Sequence, residues 1–198
     1  MLDAAAAERR GKTGLSGWMA QAQALWKEHG VSDMTLGERW NYHDELGAQF
    51  PAAPLRILYA ASGTLPCALV VRDDRAIIEH AIYWSKFTSV GEGNYLAAIL
   101  NSESSRAKVA SLQARGQWGA RHFDKVMFTL PIPRFDAKEQ LHRDLAAAGA
   151  EAEKIASKVD LPEDIHFQAA RRHVREALAD AGISKRIDGL VAQLLGSR

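Results

Sequence analysis

Leu141, Leu145, Ala148, Ala152, Ile155 and Val159 recur at steps of four, three, four, three and four. That is a heptad seam, which an α-helix presents as a single apolar stripe. A second stripe, Phe167, Ala170, Val174, Ala177 and Ala181, follows at steps of three, four, three and four. Asp160-Leu161-Pro162 separates the two, and Pro162 with the acids Glu163 and Asp164 suits a first helical turn. Two stripes joined by so short a turn predict an antiparallel helical hairpin with close, alanine-lined packing. Gly182 ends it, and Ile183, Ile187, Leu190, Val191 and Leu194 form a third apolar face. The last third of the chain, 136–198, is therefore expected to be a helical arm.

The remainder is organised differently. Residues 1–13 read as poorly ordered or at most a frayed helix. Leu15, Trp18, Met19, Ala22, Leu25 and Trp26 fall at helical spacing, closed by His29-Gly30, and 35–50 repeats the pattern until Pro51 stops it. Arg56-Ile57-Leu58-Tyr59-Ala60 and Ala68-Leu69-Val70-Val71 are short β-type runs on either side of the turn sequence Ser62-Gly63-Thr64-Leu65-Pro66. Residues 76–88, rich in Ile, Tyr, Trp and Phe, predict one longer strand or two short ones. Helix returns over 94–100 and, past a cap at Asn101-Ser102, continues to about 114. Pro131-Ile132-Pro133 fits neither a helix nor a central strand, so an extended segment is expected there. The expected fold is α+β, with N-terminal helices, a small twisted sheet and a C-terminal long-helix hairpin arm. The expected divisions are a helical segment over 1–50, an α+β core over 51–135 and the arm over 136–198.

A chain of 198 residues with 47% hydrophobic and 25% charged side chains has the composition of a globular protein with a proper core. Cys67 is the only cysteine, which excludes an intramolecular disulfide framework and a thiolate metal cluster. No run of about 18 apolar residues exists to span a membrane, and Met1-Leu2-Asp3 with four following alanines lacks the shape of a secretory signal. A cytoplasmic protein is expected. The net charge of +1 divides unevenly. Over 106–134, six basic residues (Arg106, Lys108, Arg115, Arg121, Lys125, Arg134) face the single acid Asp124, giving +5. Over 136–164, eight acids against four bases give −4. Such asymmetry fits either a localised polyanion contact or two ordinary solvated faces.

No catalytic motif emerges. Arg10-Gly11-Lys12-Thr13 resembles the end of a phosphate loop, but Ala6 stands where its first glycine is needed and no strand precedes it. The seven histidines show no metal-ligand spacing, so no metal site is expected. No serine sits in a Gly-x-Ser-x-Gly elbow. Asp136-Ala137-Lys138 lacks the partner acid of a nuclease-like site and reads better as a helix start. The helices on either side of Gly182 have the order of a helix-turn-helix, yet the second is too broadly apolar to enter a groove, and packing accounts for it better. The loop Arg115-Gly116-Gln117-Trp118-Gly119-Ala120-Arg121 is different. Its glycines permit close approach of backbone to a ligand, and Gln117 has the donor–acceptor pair that adenine requires. Arg115, Arg121 and Lys125 suit guanine edges or phosphates. Trp118 is either a stacking face or a core side chain.

The run Tyr95-Leu96-Ala97-Ala98-Ile99-Leu100-Asn101-Ser102, then the loop continuing through Arg121-His122-Phe123-Asp124-Lys125, then Leu130-Pro131-Ile132-Pro133, resembles the C-terminal target-recognition region of large class I N6-adenine DNA methylases. Type IIG restriction–modification proteins are among these. The stretch from Pro131 through Glu139-Gln140 is also similar to the junction that opens the long helix of type I specificity subunits. The likeness covers about 51–160 and extends to the helical tail. It implies a domain that sets duplex DNA against a separate catalytic domain, supplied in cis or in trans, which flips and methylates adenine from S-adenosylmethionine. That domain's Asn/Asp-Pro-Pro-aromatic motif and glycine-rich cofactor loop are absent here, so neither catalysis nor cofactor binding is expected in this chain. The near-neutral charge departs from that of a strong independent DNA binder. On this resemblance Arg115, Gln117, Trp118, Arg121 and Lys125 contact DNA, with Ser62 and Thr64 adding contacts from a facing turn. The rival expectation is a protein–protein docking module that works through its helical arm.

Overall fold

A computed structural model describes residues 3–60, 63, 65–79, 81–116, 119–120 and 123–196, with the backbone alone at 115, 116, 119, 120 and 124. Among these are eight α-helices and a small three-stranded antiparallel sheet, the mixed α+β class expected. The chain forms two units, Met1–Ala52 with Arg75–Ile78, and Ala53–Asp74 with Glu79–Arg198. No helix among the described residues is long and apolar enough to cross a membrane.

In the first unit the start of the chain is more ordered than its sequence predicts. Asp3 caps α1 (Ala4–Arg9), its carboxylate accepting the Ala6 N–H at 2.6 Å, and Ala7 is fully buried. The cap and the alanine run favour that turn and a half of helix, and packing against the following helix holds it. Gly11, at φ 68°, then leads into α2 (Thr13–His29). The Trp26 indole N–H donates to the Met34 carbonyl at 2.7 Å, and the Trp18 and Trp40 rings stack 5.5 Å apart at 12°. Even so, α2 buries no residue completely, and Leu15, Trp18 and Leu25 remain exposed.

A capping box between Thr35 and Glu38 starts α3 (Leu36–Trp40). The Thr35 backbone N–H, and then its hydroxyl, holds the Glu38 carboxyl below the usual carboxylate range. The helix expected to reach residue 50 stops after five residues because the Asn41 side chain competes for it. Its amide donates to Asp44 at 2.9 Å and its oxygen accepts the Gly47 N–H at 2.6 Å, while His43 and Asp44 take φ of 53° and 61°. Two short 3₁₀ turns follow, and the buried Gln49 closes the unit. Its amide donates to the Ile78 carbonyl at 2.9 Å and its oxygen accepts the Ile78 N–H at 2.7 Å. Those two bonds occupy the backbone of Ile78, and the strand expected over 76–88 shrinks to 82–86.

In the second unit β1 (Arg56–Ala60) lies between β2 (Ala68–Val71) and β3 (Ile82–Lys86), antiparallel to both, with Leu58 opposite Leu69 and Trp84. Against β1 and β2 packs α4 (Val90–Asn101), capped by Ser89 and burying Tyr95, Ala98 and Ile99. Ser102 caps α5 (Glu103–Val109), as expected from its position. The alanine-lined seam belongs to α6 (Gln140–Ala156), where Leu145 and Ala148 are fully buried.

Its partner differs from the one expected. The seam meets α4 and α8 (Ile183–Gly196) as well as α7 (Phe167–Asp180), and α7 buries no residue completely. Phe167, placed in the second stripe by periodicity, is 61% exposed. The helix starts at Phe167 rather than Pro162, because the Pro162 carbonyl accepts the Ile165 N–H in a turn at 3.1 Å and His166 becomes the cap. The third apolar face is buried as expected, through Ile183, Ile187, Val191 and Leu194. The helix after Gly182 is thus a packing element.

The approach of α6 to α4 is close enough to demand glycine. A Cβ on Gly149 would lie 2.3 Å from the Asn94 carbonyl oxygen and 3.4 Å from the Ala98 Cβ. Gly149→Ala is expected to cost about 1–3 kcal/mol through overpacking, read as a lower urea midpoint. Gly189→Ala in α8, where a Cβ would meet nothing within 4 Å, is expected to gain about 0.5–1 kcal/mol from reduced backbone entropy.

Candidate nucleic-acid interface

The segment 114–122 is held at two buried roots. Upstream, Val109 and Gln113 are buried; downstream, so are Phe123, Met127 and Leu130. Between them β4 (Arg115–Gly116) pairs antiparallel with β5 (Gly119–Ala120), Arg115 opposite Ala120 and Gly116 opposite Gly119. The expected loop is therefore a ladder on both sides of residues 117 and 118. Gly116 and Gly119 form one of its two pairs, so that rung carries no side chain on either strand.

Of the predicted DNA contacts, Arg115 lies in β4 and Lys125 is exposed on the 3₁₀ segment Asp124–Thr129, directly after the downstream root. Both flank the same rooted segment. Gln117, Trp118 and Arg121 lie outside the described residues, as do Ser62 and Thr64. Next to that last pair, the Leu65 carbonyl accepts a bond from the Arg171 guanidinium at 3.3 Å. Among the described residues no three of His, Cys, Asp and Glu come together in a metal-holding group.

The electrostatics are less one-sided than a count along the chain implies. Arg106, one of the six bases of 106–134, forms an ion pair with Glu103 through both Nε and Nη2, and that hydrogen bond raises its pKa further above the ordinary value. Its charge is matched within its own helix. Lys108, Lys125 and Arg134 remain exposed. Arg72, just after β2, is likewise committed, making a bidentate pair to Glu153 of α6 at 2.5 and 2.8 Å.

Three motif segments are tied to one another by hydrogen bonds. The Tyr95 hydroxyl donates to the Pro133 carbonyl at 3.0 Å, which fixes the extended proline segment against α4. The Asn101 amide donates to the Ala68 carbonyl and its oxygen accepts the Ala68 N–H, both at 2.8 Å, so the end of α4 extends the edge of β2. His142 of α6 accepts the Asp136 N–H at 3.0 Å, and its ring lies 4.9 Å from that of Tyr95. These residues form a hydrogen-bonded frame within the second unit. Two features near the segment escaped the sequence. Phe128 makes edge contacts with Tyr59 and Tyr83 at 5.5 and 5.3 Å, an aromatic cluster spread over three elements that no local spacing reveals. Gln113, at the upstream root, has a buried amide nitrogen with no hydrogen-bond partner among the described residues.

No family model matches this chain, and no curated protein and no solved structure matches it.

An unsatisfied buried donor is a stability cost. Gln113→Met, which keeps the length and removes the amide, is expected to raise the unfolding free energy by about 1 kcal/mol. Urea denaturation checks this, and a loss of stability instead would mean the amide is bonded in solution.

Proposed function

We propose that this chain recognises duplex DNA for an adenine-N6 DNA methylase of the restriction–modification kind, binding and positioning DNA in the cytoplasm without carrying out chemistry itself. The observation that carries this reading is the rooted hairpin: a glycine-paired ladder, held at both ends by buried side chains, in the most basic stretch of the sequence. A paired ladder flanked by buried side chains suits presentation of donors and acceptors toward base edges. Arg115, Arg121 and Lys125 contact phosphates or guanine, Gln117 and Trp118 approach base edges, and Ser62 and Thr64 add contacts from the turn between β1 and β2. The methylase catalytic domain, which holds S-adenosylmethionine, is supplied in cis or in trans.

The burial pattern weighs against the rival, a helical docking module. The apolar faces of α6 and α8 are used within the chain's own core, so in the arm a docking surface would fall to α7, where Phe167 is exposed. A docking role would also leave the basic hairpin without a purpose.

Fluorescence anisotropy of the full chain with labelled mixed-sequence duplex tests the proposal. Binding is expected to weaken steeply with salt through counterion release. Arg115→Ala with Arg121→Ala is expected to reduce affinity about tenfold or more, at roughly 1–3 kcal/mol for each guanine contact. Trp118→Ala is expected to lower affinity while leaving the salt slope unchanged. Absence of duplex binding at low salt, or binding indifferent to salt and to these substitutions, would overturn the assignment and favour the docking module.

A further inference from the structure

The most basic continuous stretch among the described helices lies outside 106–134. From 165 to 175 the chain carries Arg171, Arg172 and Arg175 with two histidines and no acid. All three arginines fall on α7, which, like α2, buries no residue completely. Arg171 and Arg175 are one turn apart on the same face, and Arg172 neighbours Arg175 at a spacing of three. Arg175 is exposed, and Arg172 is 64% exposed with only a long ion pair to Glu176 at 4.0 Å, an interaction of little strength in water.

The position of this face is set by Arg171. Its guanidinium donates to the Leu65 carbonyl at 3.3 Å, fastening α7 to the turn between β1 and β2. That turn is the one that contains Ser62 and Thr64. A basic helix face therefore begins where the facing-turn contacts of the proposed interface are expected. The acids Asp160, Glu163 and Asp164 precede the helix. Arg175 lies eight residues beyond Phe167, about 12 Å along the axis, which exceeds the Debye length of about 10 Å at 0.1 M salt. Those three acids are thus screened from its end of the face, while Glu176 and Asp180, on α7 itself, offset part of its charge.

We infer that the exposed arginines of α7, Arg172 and Arg175, form a second phosphate-contacting surface for the duplex, on the side of the turn at 62–66, with Arg171 as the positioning residue that fixes the face to that turn. This rests on the DNA reading above and extends it from one element to two. Arginine suits the role because its planar fork meets phosphate oxygens in pairs. Such contacts carry no sequence information and set the orientation of the protein on the duplex. The surface is thereby distinguished from the hairpin, whose contacts discriminate bases.

The test measures duplex affinity of the full chain between 50 and 200 mM salt for the wild type, for Arg172→Gln with Arg175→Gln, and for Arg115→Ala with Arg121→Ala. Glutamine keeps helix propensity, and circular dichroism verifies the fold. Removing two phosphate contacts is expected to lower the slope of log affinity against log salt by about 1.8, so the wild type loses about tenfold more affinity over that range than the α7 variant. The preference for one duplex sequence over another is expected to be unchanged in the α7 variant. If the wild type binds and only the Arg115/Arg121 variant weakens, the α7 surface is refuted while the hairpin stands. If only the α7 variant weakens, the surface stands and the hairpin assignment falls. No duplex binding at 50 mM by any form refutes both. A parallel arm with phosphatidylserine vesicles covers another polyanion: an α7 variant that loses vesicle binding but keeps its duplex salt slope also refutes the inference.

Discussion

The crossing of α6 over α4 at Gly149 is the contact on which the second unit depends. Only a residue without a side chain lets the two helices meet at the Asn94 carbonyl, and α4 is also bonded to the sheet and to the segment before α6. It carries the sheet through Asn101 and Ala68, the proline segment through Tyr95 and Pro133, and the neighbouring Phe135 and His142 rings through the Tyr95 ring. The Arg72–Glu153 pair spans from the end of β2 to α6 on the same frame. Displacing α6 by the width of a methyl group would be felt in each of these, since packed interiors have no slack to absorb it.

Seen from that frame, the division of labour is mechanical. Long-range packing buries Val109 and Gln113 on one side of the β4–β5 ladder and Phe123 and Met127 on the other. The apolar faces of the last helices are used to make the frame stiff.

Much of the fold was legible from local pattern. The stripes of α6 and α8, the cap at Ser102, the two β runs around a turn and the extended prolines all follow from periodicity or from backbone chemistry at single residues. What failed depended on partners distant in sequence. The seam of α6 is plain, but nothing in its spacing says that α4 rather than α7 covers so much of it. Asn41 ends α3 through bonds to Asp44 and Gly47 that a helical stripe does not encode. Gln49 removes Ile78 from the sheet from 29 positions away. Of the candidate interface, the basic glycine-bearing run and the exposure of Lys125 were readable. The ladder pairing, the neutralisation of Arg106 by Glu103 and the fastening of Arg171 to Leu65 were not, because each is a matter of geometry between residues.

The stack of Trp18 on Trp40 has an optical consequence. Two indole rings 5.5 Å apart and inclined by only 12° share their excited states, and such coupling gives a paired positive and negative band in circular dichroism. Trp26 belongs to the same unit, so three of the five tryptophans report on residues 1–52, while Trp84 reports on the sheet. Loss of the coupled band thus reports opening of the contact between α2 and α3.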